Sequence, residues 1–306
     1  MKKVTEGRKM WFSVMAIFLM NVVVFILFDD YERKVIAPLN DSNDLHLFIF
    51  SIIVMCLLGF ILYRYAKRMD ERISREQLAK ESAMRRELTQ NISHELKTPV
   101  ASILGYTDTI LQNPYMSEEQ RKKFIERTNI QAQRLTALLQ DISTLNKMDY
   151  AADRLNKERV NISELVSDIV EETQLALERQ QMTLHNCLPE DICVTGNTTM
   201  LYSIFRNLTD NAVNYAGTGA VIEISAQPNG KYWDFTFSDN GIGVPPEHLP
   251  RIFERFYRLD KGRSRSMGGT GLGLAIVKNA VLLHGGNITV ENAPKGGLCF
   301  HFSIKR

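Results

Sequence analysis

The run Asn91-Ile92-Ser93-His94-Glu95-Leu96-Lys97-Thr98-Pro99 decides how the chain around it folds. Leu88, Ile92, Leu96, Pro99, Ile103, Tyr106 and Ile110 recur in steps of four and three, which predicts a helix with one apolar seam of the bundle type. At roughly 100° per residue, His94 points about 160° away from Ile92 and so faces outward. Glu95 flanks it, and Thr98 sits one turn on, on nearly the same face. Pro99 has no N–H and locally loosens the ladder of helical hydrogen bonds. A lone outward histidine is ordinarily a solvated surface residue. A carboxylate beside an imidazole can instead fix its tautomer and take its proton, which makes the free ring nitrogen a nucleophile.

Working outward, the helix reaches a turn signal at Asn113-Pro114. Ser117 and Gln120 form a plausible capping box for a second helix running to about Met148, with Leu135, Leu138, Ile142 and Leu145 on one seam. Two amphipathic helices on a short loop cannot bury both seams alone. A second copy would complete a four-helix bundle, so residues 87–150 predict an all-α hairpin that forms a homodimer; a monomeric hairpin packed on the next domain is the alternative. On the N-terminal side, residues 64–86 are highly charged and helix-prone, a signalling helix that continues a preceding span.

Residues 10–28 and 45–63 are almost wholly apolar, and each is about long enough to span a bilayer. Lys2, Lys3, Arg8 and Lys9 precede the first; no small-x-small cleavage site follows it, which favours a retained anchor over a signal peptide. Basic residues flank the outer ends of the two spans, whereas the 29–44 loop carries two basic and five acidic residues. Residues 1–9 and everything after the second span are therefore expected in the cytoplasm, with the loop outside. That loop is too short for a core of its own. The stimulus is then read by the spans, by the loop or by a partner membrane protein. The net charge of +2 gives no argument for nucleic acid. Cys56, Cys187, Cys193 and Cys299 show no metal spacing or close pairing and read as small apolar residues of a reducing compartment.

After a linker at 149–158 the texture changes to alternating strands and helices, and residues 157–306 predict an α/β sandwich with helices on one face of a mixed sheet. Three stretches there suit a nucleotide. Asn207, Asn211 and Asn214 share one face of a predicted helix, where an amide oxygen can serve Mg²⁺ beside phosphates; a solvated polar face is the alternative. Asp239-Asn240-Gly241-Ile242-Gly243 ends a strand, where the carboxylate can accept from an exocyclic amine and the glycines admit a flat ring. Gly268-Gly269-Thr270-Gly271-Leu272-Gly273-Leu274 opens a helix whose backbone N–H groups make an anion site, at a spacing that fits neither the P-loop nor the dinucleotide fingerprint. Gly296-Gly297 reads equally as a hairpin turn or a further glycine motif. His46, His185, His248, His284 and His301 are expected to be structural.

Taken together, the chain from about Ala83 to its C-terminus resembles the sensor histidine kinases of two-component systems. Ser93 to Pro99 matches that family's phosphoacceptor box at all seven positions. Asn207 and Asn211 match the asparagines of its N-box, Asp239 with Gly241 and Gly243 its first glycine box, and Gly269 to Gly273 its second. Phe253 to Arg258 resembles its F-box, whose rings pack a lid. The resemblance implies ATP and Mg²⁺ as ligands, with His94 the phosphoacceptor, Glu95 its general base and Asn211 the metal ligand. It places Tyr215 beside the adenine and Asp239 on its amine. Arg258 would meet the terminal phosphate, and Gly269, Thr270, Gly271, Leu272 and Gly273 would cradle the others. Asn214 departs from the family's usual lysine. Glu95-Leu96-Lys97-Thr98 resembles the family's phosphatase pattern, with Thr98 positioning water.

The fold class expected is thus two transmembrane helices, a dimeric four-helix bundle and a C-terminal ATPase-type α/β sandwich. The function expected is an ATP-dependent protein-histidine kinase in the bacterial cytoplasmic membrane. It would pass its phosphoryl group to an aspartate of a separate response regulator and also dephosphorylate that regulator. A gyrase-type ATPase or switch that leaves His94 unmodified, and a membrane scaffold with an inactive nucleotide site, remain the alternatives.

Overall fold

In this computed structural model the residues described are 22, 25–26, 29–30, 41–150, 156–259, 269–294 and 296–306. The chain divides into two compact units, Met1–Ser82 and Ala83–Arg306. A helix α1, Asp41–Gln112, runs through the end of the first and opens the second. The first expected span falls almost wholly outside the described residues. The second lies on α1, where side chains are described from Ile52 onward. Ile52, Leu57, Leu58, Phe60, Ile61 and Leu62 are all exposed. Among the described residues no helix is long and apolar enough to cross a membrane.

In the second unit α1 turns at 113–117 into α2, Glu118–Tyr150. The Ser117 hydroxyl accepts the Gln120 N–H at 3.3 Å, as the capping pattern predicts. The predicted seams hold: Pro99, Leu138, Leu145 and Met148 are buried, and Leu88, Ile92, Leu96, Ile103, Tyr106 and Ile110 are partly covered. A second apolar stripe, with Val100, Leu104 and Leu111 on α1 and Ile125 and Leu139 on α2, stays exposed.

The α/β part follows as β1 (Glu158–Asn161), α3 (Ile162–Arg179), β2 (Thr183–Cys187), β3 (Cys193–Gly196), α4 (Thr198–Tyr215), β4 (Val221–Asn229), β5 (Tyr232–Asp239), a 3₁₀ turn (Pro246–Arg251), α5 (Gly273–Leu283), β6 (Ile288–Asn292) and β7 (Leu298–Lys305). The main sheet has the order β2-β4-β5-β7-β6, with β2 and β4 parallel and the other neighbours antiparallel, so it is mixed as expected. Alternation along β7 buries Leu298, Phe300, Phe302 and Ile304 on one face. Phe235 and Phe302 stack at 5.2 Å, and Phe205 of α4 meets both edge-on at 5.5 and 5.7 Å.

Two features correct the sequence reading. The stretch at 149–158 is not all linker: Asp149 belongs to α2, and Glu158 begins β1, which pairs with β3 in a separate two-stranded sheet. The 3₁₀ turn at Pro246–Arg251 carries two prolines that hide any helical signal.

Candidate nucleotide and phosphoacceptor site

His94 stands on α1 with 68% of its side chain exposed, as its position opposite the seam requires. Its Nδ1 lies 3.7 Å from Glu95 Oε1, within ion-pair range but longer than a hydrogen bond. The other Glu95 oxygen is engaged by two guanidinium groups: Arg258 Nη2 at 3.2 Å and Arg134 Nη2 of α2 at 3.6 Å. These three charged side chains are 7% (Arg258), 11% (Arg134) and 15% (Glu95) exposed, so the cluster is shielded from water. The Thr98 hydroxyl donates back to the His94 carbonyl at 3.4 Å. Pro99 leaves the Glu95 carbonyl without its helical N–H donor, so the ladder is interrupted beside the reactive residue.

The nucleotide-type residues gather around the ends of α4, β5 and α5. Asn207 donates to Ser203 O at 2.7 Å, and its Oδ1 faces Gly273, where a Cβ would come within 2.7 Å. Asn211 and Asn214 follow on α4, both partly exposed, and Tyr215 is 37% exposed at its end. The Asn211 amide makes no hydrogen bond among the described residues, which leaves its oxygen available to a cation. Among those residues there is also no cluster of three or more His, Cys, Asp or Glu that could hold a metal. A side-chain amide oxygen of this kind fits Mg²⁺, which takes one or two protein oxygens and completes its shell with water and substrate phosphates.

Asp239 lies at the end of β5 and is buried. Its Oδ1 accepts the Gly241 N–H at 2.9 Å. Burial raises its pKa above the ordinary carboxylate value, and N–H groups of Gly241 and Leu298 partly offset this. Gly297 has φ +85, and a Cβ there would come within 2.0 Å of the Asp239 carbonyl oxygen. The β6–β7 turn is therefore also a wall of the site, where the sequence left a turn and a glycine motif equally open. Asn292 braces the loop beyond Gly243, accepting from Val244 N at 3.0 Å and donating to Val244 O at 2.7 Å.

The second glycine box opens α5. Gly271 has φ +73, and a Cβ there would stand 3.0 Å from Phe256 Cα and 3.1 Å from Arg258 Nε. Phe256 is itself left-handed at φ +63, and its N–H donates to Gly271 O at 2.7 Å. The F-box thus folds directly over the glycine turn, which is how Arg258 arrives there. Tyr257 meets His248 Nδ1 at 2.5 Å and lies under Arg251, so His248 is indeed a brace. Gly268 and the basic residues Lys261, Arg263 and Arg265 lie outside the described residues.

Several residues reach the site that the sequence reading passed over. Thr270 Oγ1 donates to Asp141 Oδ2 of α2 at 2.6 Å and accepts Leu272 N at 3.2 Å. Arg255 binds Asp149 at 2.8 Å. Asp210, beside Asn211, adds its charge to Asp141, whose pKa is raised chiefly by burial. The available signal was a charged pair, Arg134 and Asp141, set at seven-residue spacing among the apolar residues of the α2 seam.

A hairpin carrying an exposed histidine, with a nucleotide-type α/β sandwich packed on it, defines a phosphoacceptor–ATPase pair. Residues 84–151 match the family described as the His Kinase A (phospho-acceptor) domain. Residues 196–306 match the family described as histidine kinase-, DNA gyrase B- and HSP90-like ATPases. The chain thus carries both domains of a histidine kinase, in the order phosphoacceptor then ATPase. It is 34% identical over 226 residues to the sensor-like histidine kinase SenX3 of Mycobacterium tuberculosis, covering 74% of this chain and 55% of the relative. It is 32% identical over 286 residues to the sensor protein kinase WalK of Staphylococcus aureus, covering 92% of this chain and 64% of the relative. The chain thus spans between about half and two thirds of the curated relatives it matches. Among solved structures, histidine kinase AdeS of Acinetobacter baumannii superposes with a TM-score of 0.56 at 24% identity, over 69% of this chain and 97% of that one. Histidine kinase ThkA, solved with the response regulator protein TrrA, gives 0.57 at 23% identity, over 72% of this chain and 61% of that one. At these identities both are likenesses of fold.

Proposed function

We propose that the chain is a membrane sensor kinase that phosphorylates His94 from ATP and passes the phosphoryl group to an aspartate of a separate response regulator. One observation carries the reading: Arg258, on the loop folded over the glycine box, reaches Glu95, the residue next to His94, at 3.2 Å. The domain with nucleotide-type chemistry and the acceptor-type histidine therefore meet within one unit. The SenX3 and WalK likenesses support the same activity.

Glu95 lies on the Nδ1 side of His94 at 3.7 Å, and a hydrogen bond closed across that gap would fix the tautomer that leaves Nε2 as the nucleophile. In the reaction a bond forms between Nε2 and the γ-phosphorus, the bond to the ADP oxygen breaks, and the Nδ1 proton goes to Glu95. Asn211, with Asn207 behind it, would hold Mg²⁺, which when bound neutralises charge on the phosphates. Asp239 and Tyr215 seat the adenine. Asn214, Gly241 and Gly243 line the same cleft. Gly269, Thr270, Gly271, Leu272 and Gly273 turn N–H groups and the start of α5 toward the phosphates. Arg258, once off Glu95, stabilises the transferring group.

The exposed stripe of Val100, Leu104, Leu111, Ile125 and Leu139 supports a homodimeric bundle, because a face of that kind needs a second copy to cover it. The two apolar runs, and the exposed apolar side chains from Ile52 to Leu62, support two spans in the bacterial cytoplasmic membrane with the kinase domains inside. The test is autophosphorylation with γ-labelled ATP and Mg²⁺, run beside His94→Gln and Asn211→Ala. Acid-labile label lost in both variants is expected; label that survives in His94→Gln would refute the assignment. In the same preparation Thr98→Ala should keep the label and slow dephosphorylation of the regulator.

A further inference from the structure

The two groups that the kinase domain turns toward phosphates are both held by carboxylates of the hairpin. Thr270, at the mouth of α5, bonds Asp141 at 2.6 Å, and Arg258, lying over Gly271, bonds Glu95 at 3.2 Å. Both hydrogen bonds are charge-assisted and sit in surroundings largely closed to water. A carboxylate accepting from the hydroxyl of a glycine turn and another on a guanidinium reproduce the chemistry of phosphate oxygens. Arg255 on Asp149 fastens the same docking a short way off, with no phosphate-facing group involved.

We infer that Asp141 is a determinant of nucleotide occupancy: from the hairpin it competes with the phosphates of ATP for Thr270 of the glycine turn, while Glu95 competes for Arg258. Nucleotide binding and this docked arrangement then exclude each other at these contacts. A nucleotide that takes Arg258 removes one of the two guanidinium groups from Glu95, whose other oxygen already faces His94, while Arg134 stays in place. Asp141 suits a displaceable plug, because burial and the neighbouring Asp210 already disfavour its charged form.

This rests on the nucleotide reading of the site, and the experiment separates the two. The full-length chain in lipid nanodiscs is titrated with a non-hydrolysable ATP analogue and Mg²⁺, beside Asp141→Asn, Asp149→Asn and, as a charge control, Asp168→Asn on an exposed face of α3. Asp141→Asn should bind about threefold more tightly or better, a shift the size of one weakened charge-assisted contact. Asp149→Asn, which loosens docking without touching the phosphate groups, should move affinity the same way by less, and Asp168→Asn should not move it. Saturating analogue should also raise hydrogen exchange in residues 138–148 of the unsubstituted chain. Unchanged or weaker binding in Asp141→Asn, with Asp149→Asn also unchanged, overturns the inference and leaves the nucleotide site standing. No binding in any variant overturns the nucleotide reading itself.

Discussion

The imidazole of His284 is buried, and its two nitrogens are spoken for. Nε2 accepts the Asn197 N–H at 3.0 Å, so the proton resides on Nδ1, which donates to Ala280 O at 2.7 Å. Burial holds its pKa below the ordinary 6.5; the Ala280 carbonyl opposes that shift, and the charge of Lys157 adds to it. The fold therefore favours the neutral ring, and as pH falls the unfolded chain takes the proton first. The contribution to stability is complete above about pH 6.5 and is lost as pH drops through the lower folded value. Urea midpoints of the α/β domain followed downward from neutral pH should decline more steeply than those of His284→Gln; parallel declines would reject this. The expectation that His284 is structural was legible because no partner stood at a meaningful spacing. The partner it has, a helix N-cap far along the chain, exists only in the fold.

At the scale of elements, the starts of helices follow from side-chain chemistry. Asn161 accepts Ser163 N at 3.0 Å and Glu164 N at 3.4 Å at the start of α3. Asn197 does the same for Met200 N at 3.1 Å at the start of α4, and also donates to Asn156 O at 3.3 Å. Replacing Asn197 with Ala should cost about 1 kcal/mol, read as a lowered unfolding midpoint. The loss matters for function because α4 carries Asn207 and Asn211. α5 has no side-chain cap and opens directly on the glycine turn. β1 was not legible in the sequence, because Glu158-Arg159-Val160-Asn161 is four residues with two charges, and its strand character comes from its partner: Val160 faces Val194 across the register.

For the molecule as a whole, the hairpin presents two apolar faces and the kinase domain covers part of one. Leu145 and Ile142 of the hairpin meet Phe256 and Leu272 at a shared cleft, while Leu104 and Leu139 remain 56% and 51% exposed. Leu104→Glu together with Leu139→Glu should convert a fragment of residues 83–306 from twice to once its chain mass in light scattering. The kinase-domain unfolding transition should stay where it was, since neither residue touches that domain's core. A dimer that survives both charges would mean that another surface joins the copies.

Sequence alone determined the helical hairpin and the mixed sheet with its helices, because each follows from local rules of period and capping, whereas the phosphate and adenine roles were proposed from a family resemblance. Helical period also placed His94 outward, and the structure leaves that side chain exposed. What only the tertiary structure decided is which charges face each other. In the sequence Arg134 and Asp141 belong to no motif that marks a role, and Asp149 falls in the stretch read as a linker. Asp141 and Asp149 became partners of Thr270 and Arg255 because the F-box loop, bent through a left-handed Phe256 over Gly271, is laid against α2, whereas Arg134 meets Glu95 across the hairpin itself. Pairings so far apart along the chain, up to 129 residues for Thr270 and Asp141, leave no periodic trace, so they are settled only when packing of the apolar faces brings the two surfaces together.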